Sequence, residues 1–153
     1  MKERRGQIEW LTVDAQAIAR IQGWLGEVLP AFPWAAAAWL YGSAARPSHP
    51  ARDIDIGLLA LGQVEPAHLE ACSDIAASLS DRSGWAIERW DVRVVNRADP
   101  VFLGRFLREA QLLYERDPAA RIAFEARAHS LWLDFRPAWQ RIRRASLNGW
   151  ANG

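Results

Sequence analysis

Apolar and polar positions follow two rhythms along the chain. After Thr12 and Asp14, either suited to cap a helix, Ile18, Ile21, Leu25, Val28 and Leu29 recur at helical spacing on one face. Pro30 and Pro33 end that helix. The apolar run from Ala35 to Tyr41 is short, stops at Gly42 and predicts a buried strand. Residues 42–52 read as a turn with room for one helical turn, and residues 53–60 as a second strand. Pro66 opens a second helix whose inner face is expected to be Leu69, Cys72, Ala76 and Leu79, followed by a turn over residues 81–84. Residues 85–95 predict a third strand, with Trp90, Val92 and Val94 facing one way and Arg89, Asp91 and Arg93 the other.

The remainder reads as helical. Asp99 and Asp117 each precede a proline, the expected start of a helix. The first of these helices should bury Phe102, Phe106, Ala110 and Leu113, the second Phe124, Ala128, Leu131 and Phe135. Pro137 is expected to kink or break the second, and residues beyond Ser146 to fray. Helices alternating with strands predict an α/β (α+β) fold. We expect one domain over residues 1–153, with a core spanning about 10–97 and a helical portion spanning about 99–147.

Composition narrows the classes. Half of the 153 residues are hydrophobic and 24% are charged, as in a globular domain. The net charge of +1 gives no overall attraction to nucleic acid or membrane, although Lys2 is the only lysine among 19 basic residues. Cys72 stands alone, which excludes an internal disulfide and a cysteine metal framework. The charged start, residues 1–6, is not followed by an unbroken apolar stretch, and no run reaches membrane-helix length, so a cytoplasmic location is expected. Of the nine tryptophans, Trp132, Trp139 and Trp150 crowd the C-terminal part, as core filling or a partner surface.

P-loop, dinucleotide-binding, zincin and Cys-x-x-Cys motifs are absent, and His49, His68 and His129 are scattered. Three features carry chemistry. Asp53 and Asp55 lie two apart on a predicted strand and so share a face, where their mutual repulsion is relieved by a counter-charge: Mg²⁺, or Arg52 in a purely structural arrangement. Gly42 and Ser43 follow a strand directly, where free backbone N–H groups and a hydroxyl can face an anion, or simply form a turn. A third carboxylate, Asp91, sits mid-strand and needs a metal or an arginine partner, Arg89 or Arg93. A phosphate cradle beside three carboxylates is what two-metal nucleotidyl transfer requires.

The segment Tyr41-Gly42-Ser43, nine residues, then Asp53-Ile54-Asp55-Ile56, with Asp91 on a later strand, resembles the polymerase-β-type nucleotidyltransferase superfamily. Within it the chain is similar to the minimal nucleotidyltransferases, specifically the MntA-like antitoxins. That resemblance continues through Trp90-Asp91-Val92, Phe106-Leu107-Arg108-Glu109, Leu113-Tyr114-Glu115-Arg116-Asp117, Arg121, Phe124-Glu125 and Asp134-Phe135-Arg136-Pro137, roughly residues 35 to 145. It implies a small mixed sheet flanked by helices. It also implies that Asp53, Asp55 and Asp91 hold two Mg²⁺ ions, that Gly42 and Ser43 grip the β and γ phosphates of ATP, and that Arg46 touches phosphate or partner. The loop departs from the pattern in being a residue shorter than in many relatives, in Pro47 where glycine is common, and in Ala44 for a frequent arginine.

The implied activity is transfer of AMP from ATP to a tyrosine of a HEPN-domain ribonuclease toxin; that modification, or the complex itself, silences the toxin. Two alternatives stand beside it. One is an antitoxin that neutralises its partner by binding alone, suggested by the C-terminal tryptophans and by Arg141, Arg143 and Arg144. The other is transfer to a small-molecule acceptor, for which the residues after Asp91 leave limited room. Direct nucleic-acid binding is not expected, since no basic stripe is evident.

Overall fold

The computed structural model describes residues 9–151; the charged start, residues 1–6, lies outside the described residues. In chain order the elements are β1 (Leu11–Thr12), α1 (Ala15–Val28), β2 (Ala35–Tyr41), β3 (Pro50–Ala51), β4 (Ile54–Ala60), α2 (Pro66–Ser83), β5 (Trp90–Val94), α3 (Pro100–Glu109), β6 (Gln111–Glu115) and α4 (Pro118–Ala151). Short 3₁₀ turns occupy Leu29–Ala31, Gly42–Ala45 and Ile87–Arg89. Asp14, Asp99 and Asp117 cap their helices as expected, each accepting a backbone N–H at 2.8 to 2.9 Å, from Ala17, Phe102 and Ala120.

Four strands form the main sheet in the order β5-β4-β2-β6, with β5 parallel to β4 and the other pairs antiparallel. A two-stranded ribbon, β1 with β3, stands apart from it. Strand β2 lies between β4 and β6 and is buried along its whole length. Its four consecutive alanines fit that place, because small side chains let helices approach both faces closely. Helices α1 and α2 cover one face, over Ala38, Leu40, Ile54, Ile56, Leu58 and Trp90. On the other face Trp39, Tyr41 and Leu59 pack with Leu103 and Phe106 of α3 and Phe124 and Ala128 of α4. Helices α3 and α4 close tightly at Gly104, where any side chain would overlap the Trp132 indole.

Several sequence expectations are corrected. Residues 81–83 continue α2, which ends at the left-handed Gly84 (φ 72°), so no separate turn precedes it. Leu69 is exposed, and Ile75 takes the inner position instead. The third strand begins only at Trp90: Trp85 stacks on Trp90 (5.7 Å between centroids) and meets Trp24 edge-on (5.4 Å), which folds residues 85–89 against α1.

The largest revision concerns the region after residue 99. Helix α3 stops at Glu109, and residues 111–115 are a strand, which pairs with the otherwise open edge of β2 in the register Ala37↔Glu115, Ala38↔Tyr114. Helix α4 neither breaks at Pro137 nor frays after Ser146. The missing proline N–H would have bonded the carbonyl of Leu133, an exposed position where water can take its place. Leu131 is exposed rather than buried, and Phe135 is half-buried. Among the described residues no helix is long and apolar enough to cross a membrane.

Candidate active site

Sheet register assembles the site. Tyr41 on β2 stands opposite Asp55 on β4, and Asp55 opposite Asp91 on β5, so three side chains far apart in sequence lie side by side on one face. Alternation then fixes what surrounds them. Ile54 and Ile56 point into the α1/α2 core and anchor β4, while Asp55 between them is only partly covered. Asp53 sits in the bend just before β4 and is exposed.

Immediately after Tyr41 the chain turns into the Gly42–Ala45 3₁₀ turn. Gly42 has φ +70°, and a Cβ there would overlap the Asp55 carboxylate oxygen. Glycine therefore serves both the left-handed turn and the close approach of backbone to carboxylate. Ser43 is half-buried beside it, and Ala44 and Ala45 are buried, which leaves no room for an arginine at position 44. The turn is fixed from below, because the Gln111 side-chain amide of β6 donates to the Ala45 carbonyl at 2.9 Å. Arg46 reaches Glu109 of α3 at 3.2 Å, tying the end of the turn to the helix. Pro47 is exposed, and the left-handed residue in this loop is Ser48 (φ 56°).

The electrostatics are strained. Burial pushes the Asp55 carboxyl from 3.8 up to about 6, reinforced by Asp91, opposed by Arg93 and raised a little further by Asp53. Asp91 is held by Arg93, whose Nη2 and Nε donate to its two carboxylate oxygens at 2.5 and 3.2 Å. That hydrogen bond, and secondarily the neighbouring Tyr41, raises the Arg93 pKa above its already high value. The Tyr41 hydroxyl is buried without a hydrogen-bond partner, and its pKa is raised by burial. Its ring is held edge-on by Phe102 and Phe106, both at 5.4 Å.

Gly42, Ser43, Asp55 and Asp91 thus share one end of the sheet, with Asp53 at its rim. Among the described residues no three carboxylate, histidine or cysteine side chains converge tightly enough to form a ready metal cage. The donor set nevertheless suits a hard divalent cation: partly buried carboxylates in mutual repulsion, packed against a tight glycine turn. Sequence alone offered Arg93 only as one of two alternative partners for Asp91. Its position two residues beyond Asp91 on the same strand face was the available signal.

The polymerase beta nucleotidyltransferase family model matches residues 25–119, from within α1 to the start of α4. The chain belongs to that family. The matched span contains Gly42, Ser43, Asp53, Asp55 and Asp91. The chain is also similar to a chain in the solved complex of a tri-AMPylated Shewanella oneidensis HEPN toxin with an MNT antitoxin. There the TM-score is 0.63 at 17% identity, over 85% of this chain and 98% of that one. A toxin–antitoxin structure with AMP-PNP matches with a TM-score of 0.63 at 18% identity, over 82% and 98% of the two chains. The MntA–HepT toxin–antitoxin complex gives 0.61 at 15%, over 84% and 98%. At these identities the likeness establishes the fold. No curated protein matches the chain significantly in sequence.

Proposed function

We propose that this nucleotidyltransferase is an antitoxin of the MntA kind, transferring AMP from ATP to a tyrosine of a partner HEPN-domain toxin. The observation that carries the reading is the register of Gly42, Asp55 and Asp91 at one end of the sheet. Tertiary structure brings a left-handed glycine turn and two carboxylates together there, at the price of raising the Asp55 pKa. The solved complexes similar to this chain include a tri-AMPylated HEPN toxin and an AMP-PNP complex, which supports nucleotide and acceptor class.

In this reading the backbone N–H groups of the Gly42–Ala45 turn and the Ser43 hydroxyl bind the β and γ phosphates, and Gly42 lets the triphosphate lie close to the strand end. Arg46, half-buried at the end of the turn, leaves Glu109 to meet phosphate or partner. Asp53, Asp55 and Asp91 would hold Mg²⁺, which when bound supplies charge neutralisation for the phosphates. The acceptor phenol oxygen forms a bond to the α-phosphorus, the α–β bridging bond breaks, and pyrophosphate leaves. The phenolic proton passes to the Asp91 carboxylate, which Arg93 orients in the free protein. Positioning and charge stabilisation supply most of the catalysis.

The test is mass spectrometry of the protein encoded by the neighbouring reading frame, after incubation with this chain, ATP and Mg²⁺. We expect mass gains of AMP units with the wild type and none with Asp53→Asn. A stable complex with no mass gain would overturn transfer in favour of neutralisation by binding. That second reading draws on the bidentate hold of Arg93 on Asp91, which occupies a carboxylate that catalysis needs.

A further inference from the structure

Helix α4 is far longer than the surface it covers. At about 1.5 Å per residue its 34 residues span on the order of 50 Å, against about 15 Å for the 10 residues of α3 beneath it. Its covered face runs through Phe124 and Ala128, then Trp132 against Gly104, then the half-buried Phe135 and Trp139. From there the same face continues at helical spacing as Ile142, Ser146 and Trp150, with nothing underneath. Every residue from 140 to 150 is exposed, including Ile142 (52%), Leu147 (66%) and Trp150 (88%).

Charge distinguishes the possible occupants. Beyond Asp134 the helix carries Arg136, Arg141, Arg143 and Arg144 and no acidic residue. The whole chain has a net charge of +1, so the rest of the molecule holds a small excess of acid while this segment is purely basic. Two such arms packed together would oppose arginine to arginine, which disfavours a second copy. A membrane-surface helix needs a broad apolar face, whereas Arg143 here lies beside Trp150 at the edge of a narrow stripe. The arginines also lie on more than one side of the helix rather than along a single track, unlike a nucleic-acid-binding stripe. A narrow apolar stripe ringed by arginines fits an apolar groove with acidic walls.

We propose that residues 139–150 of α4 are a docking arm that lies in an acid-rimmed apolar groove of the acceptor protein, with Ile142 and Trp150 as its anchors. The proposal rests on the reading that the acceptor is a protein. The arm lies outside the matched nucleotidyltransferase span, residues 25–119.

The test uses the full chain and the protein of the neighbouring reading frame, with fluorescence anisotropy for Kd and AMP incorporation for KM and kcat. The double variant Ile142→Ser/Trp150→Ala should raise Kd and KM together by more than tenfold and leave kcat unchanged, with the melting temperature preserved. Arg141→Glu/Arg143→Glu/Arg144→Glu should weaken binding similarly and abolish its salt dependence. Unchanged Kd in both variants, or no binding of that protein by the wild type, overturns the arm. Loss of binding to phosphatidylserine vesicles with unchanged partner Kd reassigns the arm to a membrane and also overturns it. Arm-dependent binding without AMP transfer would remove the transferase reading alone; transfer with arm-independent binding would remove the arm alone.

Discussion

The two faces of the main sheet are built from alternate residues of the same strands, yet they do opposite things. Toward α1 and α2, Ile54, Ile56, Leu58 and Trp90 form a dry core. One residue further along each strand, Asp55, Gly57, Asp91 and Arg93 face the other side, where helix α3 covers only part of the surface and leaves the carboxylates at its rim. The strands are held by the first face, so the second can carry partly buried like charges and an unpaired hydroxyl without losing the fold. Stability and chemistry are separated by the period-two alternation of β4 and β5.

The widest gap between the faces should appear at adjacent residues of β4. Ile56→Ala leaves a cavity in the closed core and should cost about 2–5 kcal/mol of unfolding free energy. Asp55→Asn, one position away, should leave the fold intact in denaturant titration while lowering AMP transfer by at least about a hundredfold. Comparable destabilisation by both substitutions would break the division of labour between the faces.

The next effect isolates the turn. Gly42→Ala introduces a Cβ that overlaps the Asp55 carboxylate and holds a non-glycine residue at φ +70°, itself worth roughly 1–2 kcal/mol. We expect a lower melting temperature together with loss of ATP binding in calorimetry. Gly26→Ala in α1, where an added Cβ meets nothing within 4 Å, provides the contrast and should stabilise by about 1 kcal/mol.

How much of this was legible in the sequence differs between the two halves of the chain. Ala35–Tyr41, the Asp-x-Asp strand and the start of α2 at Pro66 were readable because local pattern and structure agree there. Strand β6 was not, since Phe102, Phe106, Ala110 and Leu113 keep helical spacing straight across the α3–β6 boundary. What makes residues 111–115 a strand is the open edge of β2, a partner some seventy residues away in sequence. The candidate carboxylates were singled out from residue type and spacing. Their shared face with Tyr41, and the hold of Arg93 on Asp91, exist only once β5 is placed parallel to β4.

A smaller effect follows from the charge on the functional face. Asp55 has its pKa raised on folding, from 3.8 to about 6, so the folded state binds the proton more tightly than the unfolded chain. Stability from this group is therefore full below about 4 and is lost as pH rises toward and through about 6, a fall of about 3 kcal/mol that solvent screening of this partly exposed carboxylate reduces. Calorimetric melting at a series of pH values should show this decline in the wild type and not in Asp55→Asn. Removing the opposing cation by Arg93→Ala should push the decline to higher pH, since Arg93 lowers the Asp55 pKa. A pH profile unchanged by either substitution would count against the crowding of charge on this face.

The smallest effect sharpens the comparison most, because it changes one oxygen atom. Tyr41→Phe keeps the ring against Phe102 and Phe106 and removes a hydroxyl that is buried without a partner. An unsatisfied buried hydroxyl costs about 1 kcal/mol or more, so the free protein should become slightly more stable, by up to about 1 kcal/mol. If the hydroxyl serves the site, the same substitution should weaken ATP binding severalfold, so that nucleotide stabilises the variant less than the wild type. Stabilisation of the free protein with unchanged nucleotide affinity would assign Tyr41 to packing alone, and the unpaired oxygen would then be a cost of the fold. A loss of affinity in a variant that melts higher would show that this face gives up stability for binding.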